Sequence, residues 1–284
     1  MNRREFTQIL AAASMANILP RTAFSKSLEQ SSAEMYEIPS FGNARLLHMT
    51  DSHAQLLPIY FREPSVNIGI TSENGRPPHL VGQHFLDYFG IKSNSLSAHA
   101  FTSLDFVHAA NQFGKVGGYA HLSTLVKKLR QSYGEQGRSI LLDGGDTWQG
   151  SATAYWTRGK DMVEASNILG VDVMTGHWEF TYKEEEVLEN ISEFNGEFLA
   201  QNIKVEEEAL FEGAAAYDED EGYAFKPYTI KTMGEHRVAI IGQAFPYTPI
   251  ANPKRFIPDW TFGIQAQDLQ MLINKIRDTE SPDA

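Results

Sequence analysis

The chain of 284 residues contains no cysteine. That excludes a disulfide scaffold, a thiolate metal site and a cysteine nucleophile, and leaves His, Asp, Glu and Asn as the side chains able to hold a metal. Basic residues are also few: 24 Lys and Arg stand against 36 Asp and Glu, a formal net charge of −12, which argues against an electropositive nucleic-acid surface. No apolar run approaches the roughly 20 residues of a membrane-spanning helix. The low hydrophobicity of disordered chains is missing too, since 42% hydrophobic and 11% aromatic residues can bury a large core. The length predicts one large domain or two modest ones.

Residues 1–25 read as a targeting segment to be set aside from the fold. Arg3 and Arg4 precede Phe6, and the stretch 9–19 is short, alanine-rich and weakly apolar. This pattern resembles a Tat export signal and implies a periplasmic protein, with residues 26–40 as a polar linker. An ordinary amphipathic first helix is the alternative. Tat substrates usually fold before export, often with a metal bound, which favours a metal site in the rest of the chain.

Beyond the linker the pattern alternates strands and helices, the mark of an α/β fold. Residues 45–49 read as a short buried strand ending at Thr50, Asp51, Ser52 and His53. A long irregular insertion extends to about residue 114, with one helix expected near residues 84–88. Leu122, Leu125, Val126 and Leu129 recur at helical spacing, and 139–142 is a strand that runs into Asp143, Gly144, Gly145 and Asp146. A helix over 162–169 precedes a strand at 171–174 and the polar cluster Gly176, His177, Trp178, Glu179. A strand at 198–200 ends in Gln201 and Asn202. Residues 228–232 and 237–241 form a hairpin turned at Gly234, and a last amphipathic helix covers 264–276. The acid-rich segment 205–221 reads as a solvated surface loop.

The polar residues fall at strand ends, where α/β folds place catalytic groups. In an extended backbone Asp51 and His53 would point to one side and suit one ion. Asp146 follows a Gly-Gly turn, and a carboxylate can bridge two cations. His177 adds an imidazole. Each alone is weak: a lone Asp-x-His is more often a turn or cap, and His177 or Trp178 alone more often a core residue. All of them following apolar strands in a βα chain favour a metal site.

These residues carry a resemblance. Residues 47–53, Gly117-Gly118, 143–147 and 176–180 resemble the metallophosphoesterase domain of the 5′-nucleotidase family. Residues 55–69, 144–155, 176–182 and 242–263 resemble in particular its SoxB branch, the sulfate thiol esterases or thiosulfohydrolases of sulfur oxidation. The resemblance implies a metallophosphoesterase-type α/β/β/α layered sandwich, with residues 41–284 as an amino-terminal metallophosphoesterase-like domain incomplete at its carboxy-terminal side. It implies two divalent cations, manganese by the hard oxygen and nitrogen donors. Asp51 and His53 would hold the first and Asp146 would bridge. Where the family shows Gly-Asn-His-Glu, His177 takes the place of the metal-binding asparagine. Trp178 takes the place of the histidine that assists phosphate-ester cleavage. An indole cannot pass a proton to a leaving alkoxide, whereas a thiol, with a pKa of about 8.5, leaves with little help. That makes Trp178 and Asp146 the expected catalytic residues. Asn202 is expected behind the ligands, Arg62 as a bidentate contact to a sulfonate, and Trp148 and Tyr155 either as pocket lining or as packing.

The implied reaction releases sulfate from a sulfonated thiol on the carrier protein SoxYZ, with a metal-activated hydroxide as nucleophile. Family members continue through a strand ending in His and a Gly-His-Thr-His element. No histidine follows His236 here, so the chain is expected to lack two or three ligands, to be impaired and to leave apolar sheet surface exposed. The competing readings are a periplasmic 5′-nucleotidase-like metallophosphoesterase and an inactive fragment acting only as a binding module.

Overall fold

The computed structural model describes residues 42–60, 65–93, 95–102, 104, 106–132 and 139–284, with Leu96, His99, Ala100, Ala109, Gln112 and Phe113 described by backbone alone. The expected signal 1–25, the linker 26–40 and Arg62 lie outside these residues. Ten strands occur among them: β1 (Arg45–Met49), β2 (Ile59–Tyr60), β3 (Lys115–Val116), β4 (Ser139–Asp143), β5 (Val173–Met174), β6 (Glu197–Phe198), β7 (Ile203–Val205), β8 (Tyr228–Met233), β9 (His236–Ile241) and β10 (Trp260–Phe262).

The element that positions everything else is a parallel sheet in the order β1-β4-β5-β6. In β4 the alternation of a strand sorts the apolar side chains by face. Leu141 enters the main core with Met162, Val163, Met174, Val187 and Phe198. Ile140 faces the other way, packing with Leu142 against Met233 and Val238 of the β8–β9 hairpin. The sheet therefore lies between a helical layer and an antiparallel hairpin, and the helix Ala266–Glu280 is tied to β9 by Arg237 and Glu280. The helix Tyr119–Gln131 begins after Gly118 and carries Lys128 and Arg130 in its last turn, where cations suit the dipole. Arg130 reaches from there to Gly170 O and Asp172 Oδ2, both at 2.8 Å, fixing the entry to β5.

Three expectations are corrected. Strand β1 is not buried: it alternates half-buried and exposed residues, and Leu46 is 54% exposed, because among the described residues the strand ends the sheet. Among its described residues the insertion holds three α-helices rather than one, Gly82–Phe89, Leu96–Phe101 and Phe106–Phe113, together with a 3-10 turn at Thr71–Glu73 and the β2–β3 ribbon. Segments of 6–8 residues are too short for periodicity alone to declare. The acidic segment contains a helix, Glu207–Glu212, that opens with Glu207 and Glu208 in its first turn, where acids suit the helix N-terminus.

Candidate metal centre

Strand register brings the site together. Met49 pairs with Asp143, Asp143 with Met174 and Met174 with Phe198, so the four strands end in one row. The loops that leave this edge carry Asp51 and His53, Asp146, His177 and Asn202. The first two loops run side by side: the backbone N–H groups of Asp51, His53 and Ala54 donate to the carbonyls of Gly145, Asp146 and Thr147 at 2.9, 2.9 and 3.1 Å.

The backbone at these positions is not extended. Asp51, His53 and Asp146 have φ of +53°, +49° and +56°, the left-handed region that costs a non-glycine residue energy and gathers at functional sites. The Asp-x-His pair thus converges by a tight turn rather than by strand alternation, which corrects the expected geometry while bringing the same residues together. Gly145, at φ +91°, serves a second purpose, since a Cβ there would lie 2.8 Å from Thr175 O and 2.9 Å from His177 N. Only glycine lets the Asp146 loop approach the His177 loop so closely.

Asp146 is the centre of the group and is 2% exposed. Its Oδ2 lies 3.4 Å from His53 Nε2 and 3.4 Å from His177 Nδ1. Asp51 Oδ1 lies 3.9 Å from His53 Nε2, and ligand atoms of Asp51, Asp146 and His177 all fall within 4.8 Å of one another. Burial pushes the Asp146 carboxyl up, against the nearby His53 and His177, which pull it down. His177 Nδ1 is itself buried and has no hydrogen-bond partner. An orphaned imidazole nitrogen beside a buried carboxylate oxygen is a poor arrangement for a plain protein interior and fits a divalent cation with oxygen and nitrogen donors.

Three supporting residues were not singled out from the sequence. Gln149 donates Nε2 to Asp146 Oδ1 at 3.1 Å, which leaves Oδ2 to the imidazoles. Glu179, fully buried, accepts the backbone N–H groups of His177, Thr147, Asp146 and Trp148 at 2.6, 2.7, 3.1 and 3.2 Å. One carboxylate therefore joins the two loops that carry Asp146 and His177. Asp143 takes Thr147 Oγ1 on both oxygens, at 2.9 and 2.8 Å, and the N–H of Gly145 at 3.0 Å. Burial, outweighing these hydrogen bonds, pushes its pKa up to about 7. The signal for both acids was present: Glu179 closes the Gly-His-Trp-Glu run and Asp143 opens the Asp-Gly-Gly-Asp run.

The remaining expected residues divide. Trp178 is half-buried, its ring centroid 6.3 Å from that of His177. Asn202 is fully buried behind the loops. Its amide accepts from Ala244 N at 2.8 Å and donates to the carbonyls of Ala244 and Gly263. Trp148 takes the packing alternative: it is fully buried in the core between Phe194 and Phe198. Tyr155 is 71% exposed, on the short helix Ala152–Thr157.

No protein-family model matches the chain. Among curated proteins it is 31% identical to bovine (Bos taurus) 5′-nucleotidase over 155 residues, which is 54% of this chain and 25% of that one. It is 30% identical to the snake venom 5′-nucleotidase of Gloydius brevicauda over 163 residues, 56% of this chain and 25% of that protein. Among solved structures it is similar to a Thermus thermophilus sulfate thiohydrolase SoxB: 34% identity, TM-score 0.64, covering 86% of this chain and 43% of the other. The calcineurin-like phosphoesterase YfkN of Bacillus subtilis, at 17% identity and TM-score 0.52 over 85% of this chain and 60% of that one, shares the fold. The chain spans about a quarter of the curated relatives and less than half of the SoxB chain. With its strand-end cluster and layered α/β sheet, the chain is thus similar to SoxB and to the 5′-nucleotidases and shares the fold of a calcineurin-like phosphoesterase.

Proposed function

We propose that the chain forms part of a SoxB-type, metal-dependent hydrolase that releases sulfate from a sulfonated thiol, the substrate being presented on a SoxYZ-type carrier protein. The observation that carries this reading over a nucleotidase is Trp178. It follows His177 at the position where the family's phosphoesterases carry a histidine, and its indole is neither an acid nor a base near neutral pH. A thiol leaves without a general acid, so a site without that histidine suits sulfur. The 34% identity to a sulfate thiohydrolase supports the same choice.

In this reading Asp51, His53 and Asp146 hold one cation, and Asp146 and His177 contribute to a second, with manganese as the expected metal. Bound there, the cations supply Lewis acidity and lower the pKa of water. Asp146 shares one oxygen between two imidazoles, Gln149 fixes which oxygen that is, and Glu179 holds the His177 and Asp146 loops in register. Trp178 gives the sulfur-bearing end of the substrate an apolar wall. Residues 1–25 act as a Tat signal and deliver the folded protein to the periplasm.

The test is a paired assay of the full-length protein for sulfate release and for nucleotide hydrolysis. Sulfate release should dominate. Trp178→His should lower it and open some phosphoesterase activity, and Trp178→Phe should be milder. Fast nucleotide hydrolysis without sulfate release would reject the reading. If both variants only lower the melting temperature and leave activity per folded molecule unchanged, Trp178 is structural. For export, Arg3→Lys with Arg4→Lys should leave the protein in the cytoplasm, checked by cell fractionation.

A further inference from the structure

A metal-binding imidazole must present one chosen nitrogen, and proteins commonly fix that choice through a hydrogen bond to the other one. The His177 ring is held differently. Phe245 lies against it with ring centroids 4.3 Å apart and planes tilted by 35°, while Nδ1 faces Asp146 Oδ2.

We propose that Phe245 is a positioning residue for His177, its ring face setting the imidazole plane so that Nδ1 is turned toward Asp146. The inference rests on the metal reading above and adds a residue to it. Rotation about the Cβ–Cγ bond of histidine is broad and roughly two-fold, so without a lateral constraint the imidazole can swing Nδ1 away from the carboxylate. A ring face on one side restricts that swing without consuming a nitrogen.

Phe245 is a poor candidate for ordinary packing. Its neighbour Ala244 belongs to the main core, yet Phe245 is only half-buried and is absent from both apolar clusters among the described residues. Its backbone, in contrast, is pinned on every side. The Phe245 N–H donates to Gly176 O, one residue before His177, at 3.0 Å. Its carbonyl accepts Oγ1 of the fully buried Thr248 at 2.7 Å. The preceding residue, Ala244, is held at both N and O by the Asn202 amide, which also binds Gly263 O at 3.1 Å. Asn202 therefore acts at one remove: it anchors the segment that carries the ring.

The experiment is a titration of the full-length protein with manganese, monitored by electron paramagnetic resonance, for wild type, Phe245→Leu and Phe245→Tyr. Metal-free melting temperatures are recorded alongside. Phe245→Leu should weaken binding of one ion by on the order of 10–100-fold, as loss of an orienting neighbour does, with the melting temperature little changed; Phe245→Tyr should restore it. Without metal, the His177 ring proton should show an upfield ring-current shift in its NMR spectrum that Phe245→Leu abolishes and Phe245→Tyr keeps. Wild-type affinity in Phe245→Leu, or equal loss in Leu and Tyr variants, would overturn the proposal. If Phe245→Leu does not fold, Phe245→Met replaces it with the same expectations. A wild-type protein that binds no manganese overturns the metal reading itself, and this proposal with it, and is recognised from the wild-type titration alone.

Discussion

At the residue scale the cluster depends on a buried acid that holds its loops together. Glu179 accepts four backbone N–H groups from two loops, so Glu179→Ala leaves several buried donors without partners. At about 1–3 kcal/mol for each orphaned group, the variant should lose more than about 3 kcal/mol of stability. Glu179→Gln should be nearly as costly, because its NH₂ is set against donors. Urea unfolding measures both, and a loss below about 1 kcal/mol would mean that the loops hold themselves. Asp51, His53, Asp146 and His177 could be picked from the sequence as a candidate cluster because they lie just beyond apolar strands, and the fold brings them together. Glu179 was visible as a letter of the motif but not in its role, since which backbone groups a carboxylate gathers depends on a fold that strings together residues 31–33 apart in sequence. Phe245 lay 68 residues from its histidine, with no local pattern to announce it.

At the element scale the parallel strands were readable from apolar runs that end in polar clusters, and the hairpin from its alternation around Gly234. The short insertion helices were not, because one or two turns carry too little period. A tertiary tie that no local pattern reveals joins β6 to β8: Glu197 accepts from Lys226, from Lys231 at 2.5 Å and from Thr229 at 3.0 Å. Burial alone would push Glu197 up, but these donors together hold it down, from 4.5 to about 2. A depressed carboxyl adds stability that is full above its unfolded pKa and is lost as pH falls toward the folded one. The contribution should therefore drain away between about pH 4.5 and pH 2. Over that window Glu197→Gln should show a flatter fall in stability than wild type. Parallel curves for the two proteins would show that the tie contributes nothing.

At the scale of the whole molecule, metal should act as a stabilising ligand. At 100 times its Kd a cation that binds only the folded state adds about 2.7 kcal/mol, so manganese should raise the melting temperature and EDTA should reverse the gain. Asp146→Asn should abolish the gain, because it removes the oxygen that stands between both imidazoles. A melting temperature indifferent to millimolar manganese would contradict the site.

The pairing of the loop at Asp51 to Ala54 with the carbonyls of Gly145 to Thr147 has a consequence for how function is lost. Those bonds continue the β1–β4 ladder past its last residue, so the loops that carry Asp51, His53 and Asp146 share one run of hydrogen bonds with the strands before them. A substitution that loosens β1 from β4 is therefore expected to disturb the cluster together with the sheet, and amide exchange at Asp51, His53 and Ala54 should rise with that of β1.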